Sequence, residues 1–299
     1  MAASLHGFPT GKSLGVCAGL FFLSVIFAWI PLTSTLKLAA ENAEYTHILL
    51  ALPISLALIY GGWETVRMQI TSRTRRGLTL FVLSLLTTFF ILLARLMTPD
   101  LRLSFEMLAL ITWWIGIFVF AFGPAASRTV LFPLCFLYWM VPMPEFFLGA
   151  IVRLLQNGSA FCTQLFFTTA GVPVLRDDLL LSIPGLTIEV ARECSSIRSS
   201  MMLLVTTMVL AQLFVRSPIR KALAVAIAIP LSVAKNGLRI FTIAMLGTRV
   251  NPGFLHGHLH RQGGIVFFLI ALLIMVLFLW VLGRSEKHRL PNAAARATA

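Results

Sequence analysis

Long apolar stretches recur along this chain at about 13–32, 47–63, 78–97, 104–122, 128–143, 196–215, 222–246 and 264–283. A helix needs roughly 20 such residues to cross a ~30 Å hydrocarbon core. The chain therefore reads as an all-α polytopic membrane protein with about eight transmembrane helices. Composition agrees, since 12% charged residues is about half the ~25% of a soluble domain. In 299 residues no large soluble domain fits beside the spans. The first stretch is longer than a signal-peptide core and is read as a retained span.

Basic residues set the expected orientation. Arg67, Arg73, Arg75 and Arg76 lie between the second and third stretches. Arg216, Arg220 and Lys221 follow residue 215, and Arg284, Lys287 and Arg289 follow the last stretch. Cytoplasmic loops carry such an excess, so both termini are expected inside. Segment 147–170, interrupted by Arg153, Gln156, Asn157 and Gln164, then cannot cross an odd number of times. It is expected to lie in the outer interface or to be re-entrant. Nine of the 11 acidic residues fall on or near the outer side, with only Glu64 and Glu286 inside. The net charge of +13 sits in these short loops rather than on a soluble basic face, so it is assigned to topology and not to nucleic acid.

The four cysteines form no metal motif, and their spacing supports no Cys162–Cys194 disulfide. Cys17 and Cys135 lie in apolar stretches and are read as packing residues. Segment 172–193 differs in kind from the rest. Two short alternating runs flank Pro184-Gly185, a pair suited to a type II turn. A short extracytoplasmic β-hairpin over 179–190 is expected, running straight into Cys194.

Three clusters place polar groups where the membrane makes them expensive. The first is Arg192-Glu193-Cys194-Ser195-Ser196-Ile197-Arg198. A thiol at a helix N-terminus, with Arg198 one turn on, is biased towards thiolate, and Glu193 opposes that bias. A small buried cysteine beside a serine N-cap explains the local sequence equally well. The second is Lys235-Asn236-Gly237-Leu238-Arg239, with Asn236 and Arg239 on one helix face. Arg239 lies about 27 Å from Lys221 along a helix, near the far edge of the core; an arginine snorkelling to the outer headgroups is the bland alternative. The third is His256, His258 and His260 before the last stretch, where a solvated histidine-rich loop is the bland alternative. Helix rise puts Cys194 and His260 near the same outer boundary, about 33 and 36 Å from Arg216 and Arg284. Thiolate attack, histidine proton transfer and arginine stabilisation of an oxyanion together fit acyl transfer.

At these residues the chain resembles the exosortase/archaeosortase family of membrane transpeptidases. The family's Val-Ala-x-x-Cys-Ser-Gly-Ile-Arg appears as Val190-Ala191-Arg192-Glu193-Cys194-Ser195-Ser196-Ile197-Arg198. Its Asn-x-x-Arg appears as Asn236-Gly237-Leu238-Arg239, and its His-x-x-x-Gly as His260 through Gly264. The resemblance covers roughly 130–283; the first four spans match only as generic apolar helices. It implies Cys194 as nucleophile, His260 as acid/base and Arg239 as stabiliser, with Arg198, Asn236, Ser195 and Glu193 supporting or touching substrate. It implies no cofactor and no metal. The implied substrates are exported proteins with a C-terminal sorting signal of the PEP-CTERM kind, cleaved and passed to a lipid or glycan acceptor of the envelope. The implied location is the bacterial inner membrane, with the site at its extracytoplasmic face, usually in bacteria that make exopolysaccharide. The domains expected are four N-terminal spans over 1–127, a catalytic core over 128–290 and a disordered cytoplasmic tail over 291–299. Two departures mark a divergent member. Ser196 stands in place of the usual Gly, and Asp177-Asp178 follows Arg176 where the family often has an acid and then Gly.

Three rival readings have a sequence basis or its lack. A histidine-cluster metalloprotease would use His256, His258 and His260, but the helix motif H-E-x-x-H is missing. A transporter or glycan-export scaffold would be expected to show internal repeats and broken helices at mid-membrane, and the sequence shows neither. A rhomboid-like serine protease lacks a suitable Gly-x-Ser-x-Gly element within a span.

Overall fold

The computed structural model describes residues 11–70, 75–93, 97–192, 197–255 and 264–297. It divides into two compact units, residues 1–147 and 148–299.

The first unit holds α1 (Gly11–Phe27), α2 (Trp29–Glu41), α3 (Ile48–Gly61), α4 (Trp63–Met68), α5 (Arg75–Leu93), α6 (Pro99–Thr129) and α7 (Leu131–Phe136). Pro99 opens α6 at the position where a missing N–H does no harm. Gly123, at φ +84° and followed by Pro124, breaks the same helix near its end. Buried Val66, Ala126, Val130 and Leu134 pack with Trp63 and Phe122. Two polar groups of this apolar unit bond across it: Trp114 Nε1 donates to Ser24 Oγ at 3.0 Å, and the Tyr45 hydroxyl donates to Met143 O at 2.8 Å. Cys17 is buried as expected, whereas Cys135 is exposed. Membership of an apolar stretch does not say which face of a helix turns outward, and Cys135 is on the outward one.

The second unit begins within α8 (Glu145–Thr169) and continues through β1 (Leu175–Asp177), β2 (Leu180–Ile183) and β3 (Leu186–Glu189) to α9 (Ile197–Phe214), α10 (Pro218–Arg249) and α11 (Gly264–Ala297). A Schellman ending stops α8: Gly171 has φ +71°, Val172 N donates to Phe167 O at 2.9 Å and Gly171 N to Thr168 O at 3.1 Å. The expected hairpin is present as β2 and β3, with Ile183 paired to Leu186 and Gly185 at φ +84°, as the third residue of a type II turn requires. A third strand, β1, extends it to an antiparallel sheet of order β1-β2-β3. The β1–β2 turn puts Asp178 at φ +51°, a backbone region that glycine enters freely and aspartate tolerates. The Arg176 guanidinium donates to Asp178 O at 2.9 Å and steadies that turn. This accounts physically for the Gly to Asp departure seen in the sequence.

Alternation places one face of the sheet on the helices. Leu181 and Val190 pack with Ala160 of α8 and Ile240 of α10. Ile183, Leu186 and Ile188 pack with Phe167, Phe241 and Ala244. Thr187 and Glu189 point away and are exposed. A separate cluster of Ala211, Val215, Ala224, Ala228, Met275 and Leu279 joins α9, α10 and α11.

Among the described residues five helices are long and apolar enough to cross a membrane: Ala43–Gly61, Pro99–Thr129, Ile197–Phe214, Pro218–Arg249 and Gly264–Glu286. The count rises to seven if two bent pairs, Cys17–Phe27 with Trp29–Glu41 and Leu131–Met140 with Glu145–Thr169, are each one span. The expected 78–97 stretch is helical over Arg75–Leu93 but is not in that set. The second bent pair turns by 97° at its break and has the form of a broken span or a re-entrant loop.

Candidate active site

The described part of the site is built where α8, α9, α10 and the end of β3 meet. Close approach of α8 and α10 depends on glycine. A Cβ on Gly237 would lie 2.6 Å from Cys162 Cβ, 3.1 Å from Thr163 N and 3.2 Å from Cys162 C. A Cβ on Gly158 would lie 2.8 Å from a methyl of Val233. Small residues at such crossings let backbones approach and let polar side chains bond across.

Those cross-helix bonds are present. Asn236, 1% exposed, donates through Nδ2 to Ser159 Oγ at 2.9 Å. The Thr163 hydroxyl donates to Ser159 O at 2.7 Å and stands 3.3 Å from Gly237 O. One turn further along the α8 face, Gln156 Nε2 donates to Val190 O at 2.7 Å. The N–H of Val190 donates to Leu179 O at 3.0 Å. Both backbone groups of this fully buried residue are thereby paired.

On α10, Lys235 is 7% exposed, and its ammonium donates to Ser199 Oγ of α9 at 2.5 Å. Lys235 and Arg239 are four residues apart and share a helix face. Arg239 is half-buried. Arg198 is exposed in the first turn of α9, beside buried Ile197. Lys235 is therefore a cation held by a bond against the start of α9.

Of the residues the sequence singled out, Asn236, Arg239 and Arg198 belong to this region. Glu193, Cys194, Ser195 and His260 lie outside the described residues, as do Ser196, His256 and His258. Cys162 is a free thiol. Among the described residues no group of three or more His, Cys, Asp or Glu side chains is placed to hold a metal ion. Sequence reasoning gave no role to Gln156, Ser159, Thr163 or Ser199. Their signal was available in part: Gln156, Ser159 and Thr163 recur at helical spacing along one face of α8.

At the opposite end of α10, Glu286 of α11 accepts from the backbone N–H groups of Arg216 and Ser217 at 2.8 and 3.0 Å. Arg220 donates to Leu282 O at 2.8 Å and to Ser285 Oγ at 2.7 Å. The basic loop after α9 and the basic end of α11 are thus tied together at one end of this unit, and Arg239 stands 18 residues beyond Lys221 on α10.

A family model described as transmembrane exosortase matches residues 39–277. The chain matched no curated protein and no solved structure.

Proposed function

Because the chain belongs to the transmembrane exosortase family, whose members are read as cysteine-type membrane transpeptidases, we propose that Cys194, His260 and Arg239 carry out acyl transfer on exported proteins bearing a C-terminal sorting signal. The observation that carries the assignment is the placement of Arg239. It is half-buried on α10, one turn after Asn236, which is bonded to α8, while α9 beside it is entered through the Cys194 segment.

The chemistry runs in two halves. Cys194 thiolate attacks the carbonyl carbon at the sorting motif, and the new C–S bond leaves negative charge on the carbonyl oxygen. Arg239 stabilises that oxyanion. Collapse expels the downstream amine, which takes a proton from His260, and leaves a thioester. An acceptor nucleophile then gives its proton to His260 and attacks the thioester, releasing the thiolate and the acylated acceptor. Arg198 and Asn236, with Ser195 and Glu193, support the site or contact substrate.

The proposed substrates carry a short PEP-like motif, an apolar helix and a basic cluster; the proposed acceptor is a lipid or glycan of the cell envelope. The proposed setting is a bacterial inner membrane with both termini in the cytoplasm. The link between Glu286 and the Arg216 loop supports this orientation, because it groups two basic clusters at one end of the unit. Arg239 then falls towards the extracytoplasmic face. β3 ends the described sheet, and the backbone groups of Thr187 and Glu189 that are not paired with β2 are the proposed place for an extended motif to add as a further strand. Pro substitutions at Thr187 and Glu189, whose N–H groups point away from β2, that left processing intact in folded protein would rule that mode out.

The decisive experiment follows cleavage of a tagged exported protein with a hydrophobic C-terminal tail, using wild type and Cys194→Ala at matched membrane levels. Processing by wild type alone is expected. Equal processing by Cys194→Ala removes the nucleophile assignment.

A further inference from the structure

The ladder between β2 and β3 ends at the pair Leu180 and Glu189. Val190, the next residue, is fully buried against Ala160 and Leu181. A buried carbonyl that has left its ladder needs another donor. Gln156 provides it from the middle of α8, at 2.7 Å and with 9% of its own surface exposed. An apolar side chain would fill the same space and match the apolar neighbours, but it would leave the carbonyl unpaired.

The location of this bond matters more than its strength. Cys194 is four residues beyond Val190, so chain length alone keeps their Cα atoms within about 14 Å. The next anchor on the far side is buried Ile197, at the start of α9. In chain order Cys194 lies between two fixed residues, Val190 and Ile197, and Gln156 fixes the first of them. The same face of α8 carries Ser159, which accepts from Asn236 on the helix that bears Arg239. One helix thus indexes both the strand that delivers the thiol and the helix that delivers the guanidinium.

Resting on the reading of Cys194 as nucleophile, we propose that Gln156 is a positioning residue, whose amide holds the Val190 carbonyl and so sets where the Cys194 segment starts. Gln156→Met keeps the length of the side chain and removes the donor. Gln156→Glu provides a donor only while its carboxyl is protonated; once ionised, it sets a carboxylate against the carbonyl.

The test measures cleavage of the tagged tail-bearing substrate in membranes, with melting temperature recorded for each purified variant. Gln156→Met is expected to lower kcat about 100-fold with little change in KM, the size of loss that follows from an ~1 Å misplacement of reacting groups. Gln156→Glu is expected to recover, relative to wild type at the same pH, as pH falls from about 8 to about 5, and Gln156→Met to show no such recovery. Wild-type kcat in Gln156→Met overturns the proposal. So do parallel losses in both variants at every pH that simply follow a fall in melting temperature, because that is the signature of a structural role alone. Cys194→Ala separates the two layers. If it is inactive while Gln156→Met is fully active, positioning by Gln156 is wrong and the cysteine reading stands. If Cys194→Ala cleaves normally, both fall.

Discussion

Gly237→Ala tests the close crossing of α8 and α10 in a way that separates it from an ordinary helix substitution. In an unobstructed helix interior the change would stabilise by about 0.8–1 kcal/mol, because alanine has the better helix propensity. At Gly237 the new methyl would sit 2.6 Å from Cys162 Cβ and within 3.2 Å of two backbone atoms of α8. Backbone cannot swing aside, so the helices must part by about 0.8 Å to restore ordinary contact at roughly 3.4 Å. Overpacking of this kind costs about 1–3 kcal/mol. Subtracting the propensity gain leaves a net loss of up to about 2 kcal/mol. Gly158→Ala is the internal control. Its methyl would meet Val233 Cγ1 at 2.8 Å, a stiff branched side chain rather than backbone, so it should lose less than Gly237→Ala. The crossing also carries Arg239, two residues on, so catalysis should suffer beyond stability, by about 100-fold for a shift approaching 1 Å. The assay is thermal unfolding in detergent together with substrate cleavage. Cys162→Gly removes the nearest clashing atom, so the double variant should recover part of the loss despite its added glycine. If Gly237→Ala raised the melting temperature as Gly→Ala does in an open helix, the close-contact argument would be refuted.

Three further predictions follow from other parts of the molecule. Arg239→Lys is expected to reduce substrate cleavage about 100-fold or more without lowering membrane levels, because an ammonium does not reproduce the guanidinium fork; near-wild-type turnover would exclude a directional role. Glu286→Gln should lower the melting temperature by about 2–4 °C by weakening its bonds to Arg216 and Ser217, while KM stays unchanged. Asp178→Gly should be tolerated or slightly stabilising at φ +51°, whereas Asp178→Val should lose about 1–2 kcal/mol, both read by thermal unfolding.

Helices and the hairpin were legible because their signals are local. Apolar length, basic loops and Pro184-Gly185 each act within a few residues. Strand β1 was not legible, since Leu175-Arg176-Asp177 has no alternating apolar pattern and is held by pairing to β2 and by the Arg176 contact to Asp178. Segment 147–170 was ambiguous for a different reason. Hydropathy charges a polar residue for its surroundings without knowing its partners. Gln156, one of the residues that interrupt the stretch, is bonded within the protein to Val190, and Ser159 and Thr163 on the same face bond to Asn236 and the backbone of α8. The inference that Asn236 and Arg239 belong together came from spacing alone. What spacing could not reveal was that Asn236 turns towards α8 and locks the helix pair.

That detail changes how Asn236-Gly237-Leu238-Arg239 should be read. The Asn236 amide reaches Ser159 Oγ at 2.9 Å only because α8 and α10 lie close, and Gly237 is what permits that distance. The glycine permits the approach that the bond exploits, and without it the bond from Asn236 to Ser159 would be lost. The two residues therefore form a coupled device, and Arg239 is its output, carried on a helix whose separation from α8 is fixed one turn away. Coupling of this kind predicts non-additivity. Asn236→Ala should cost activity in the wild-type background, but much less in Gly237→Ala, where the helices have already parted. If the two losses simply added in a double-variant cycle of cleavage rates, the residues would act independently, and the positioning of Arg239 would need another explanation.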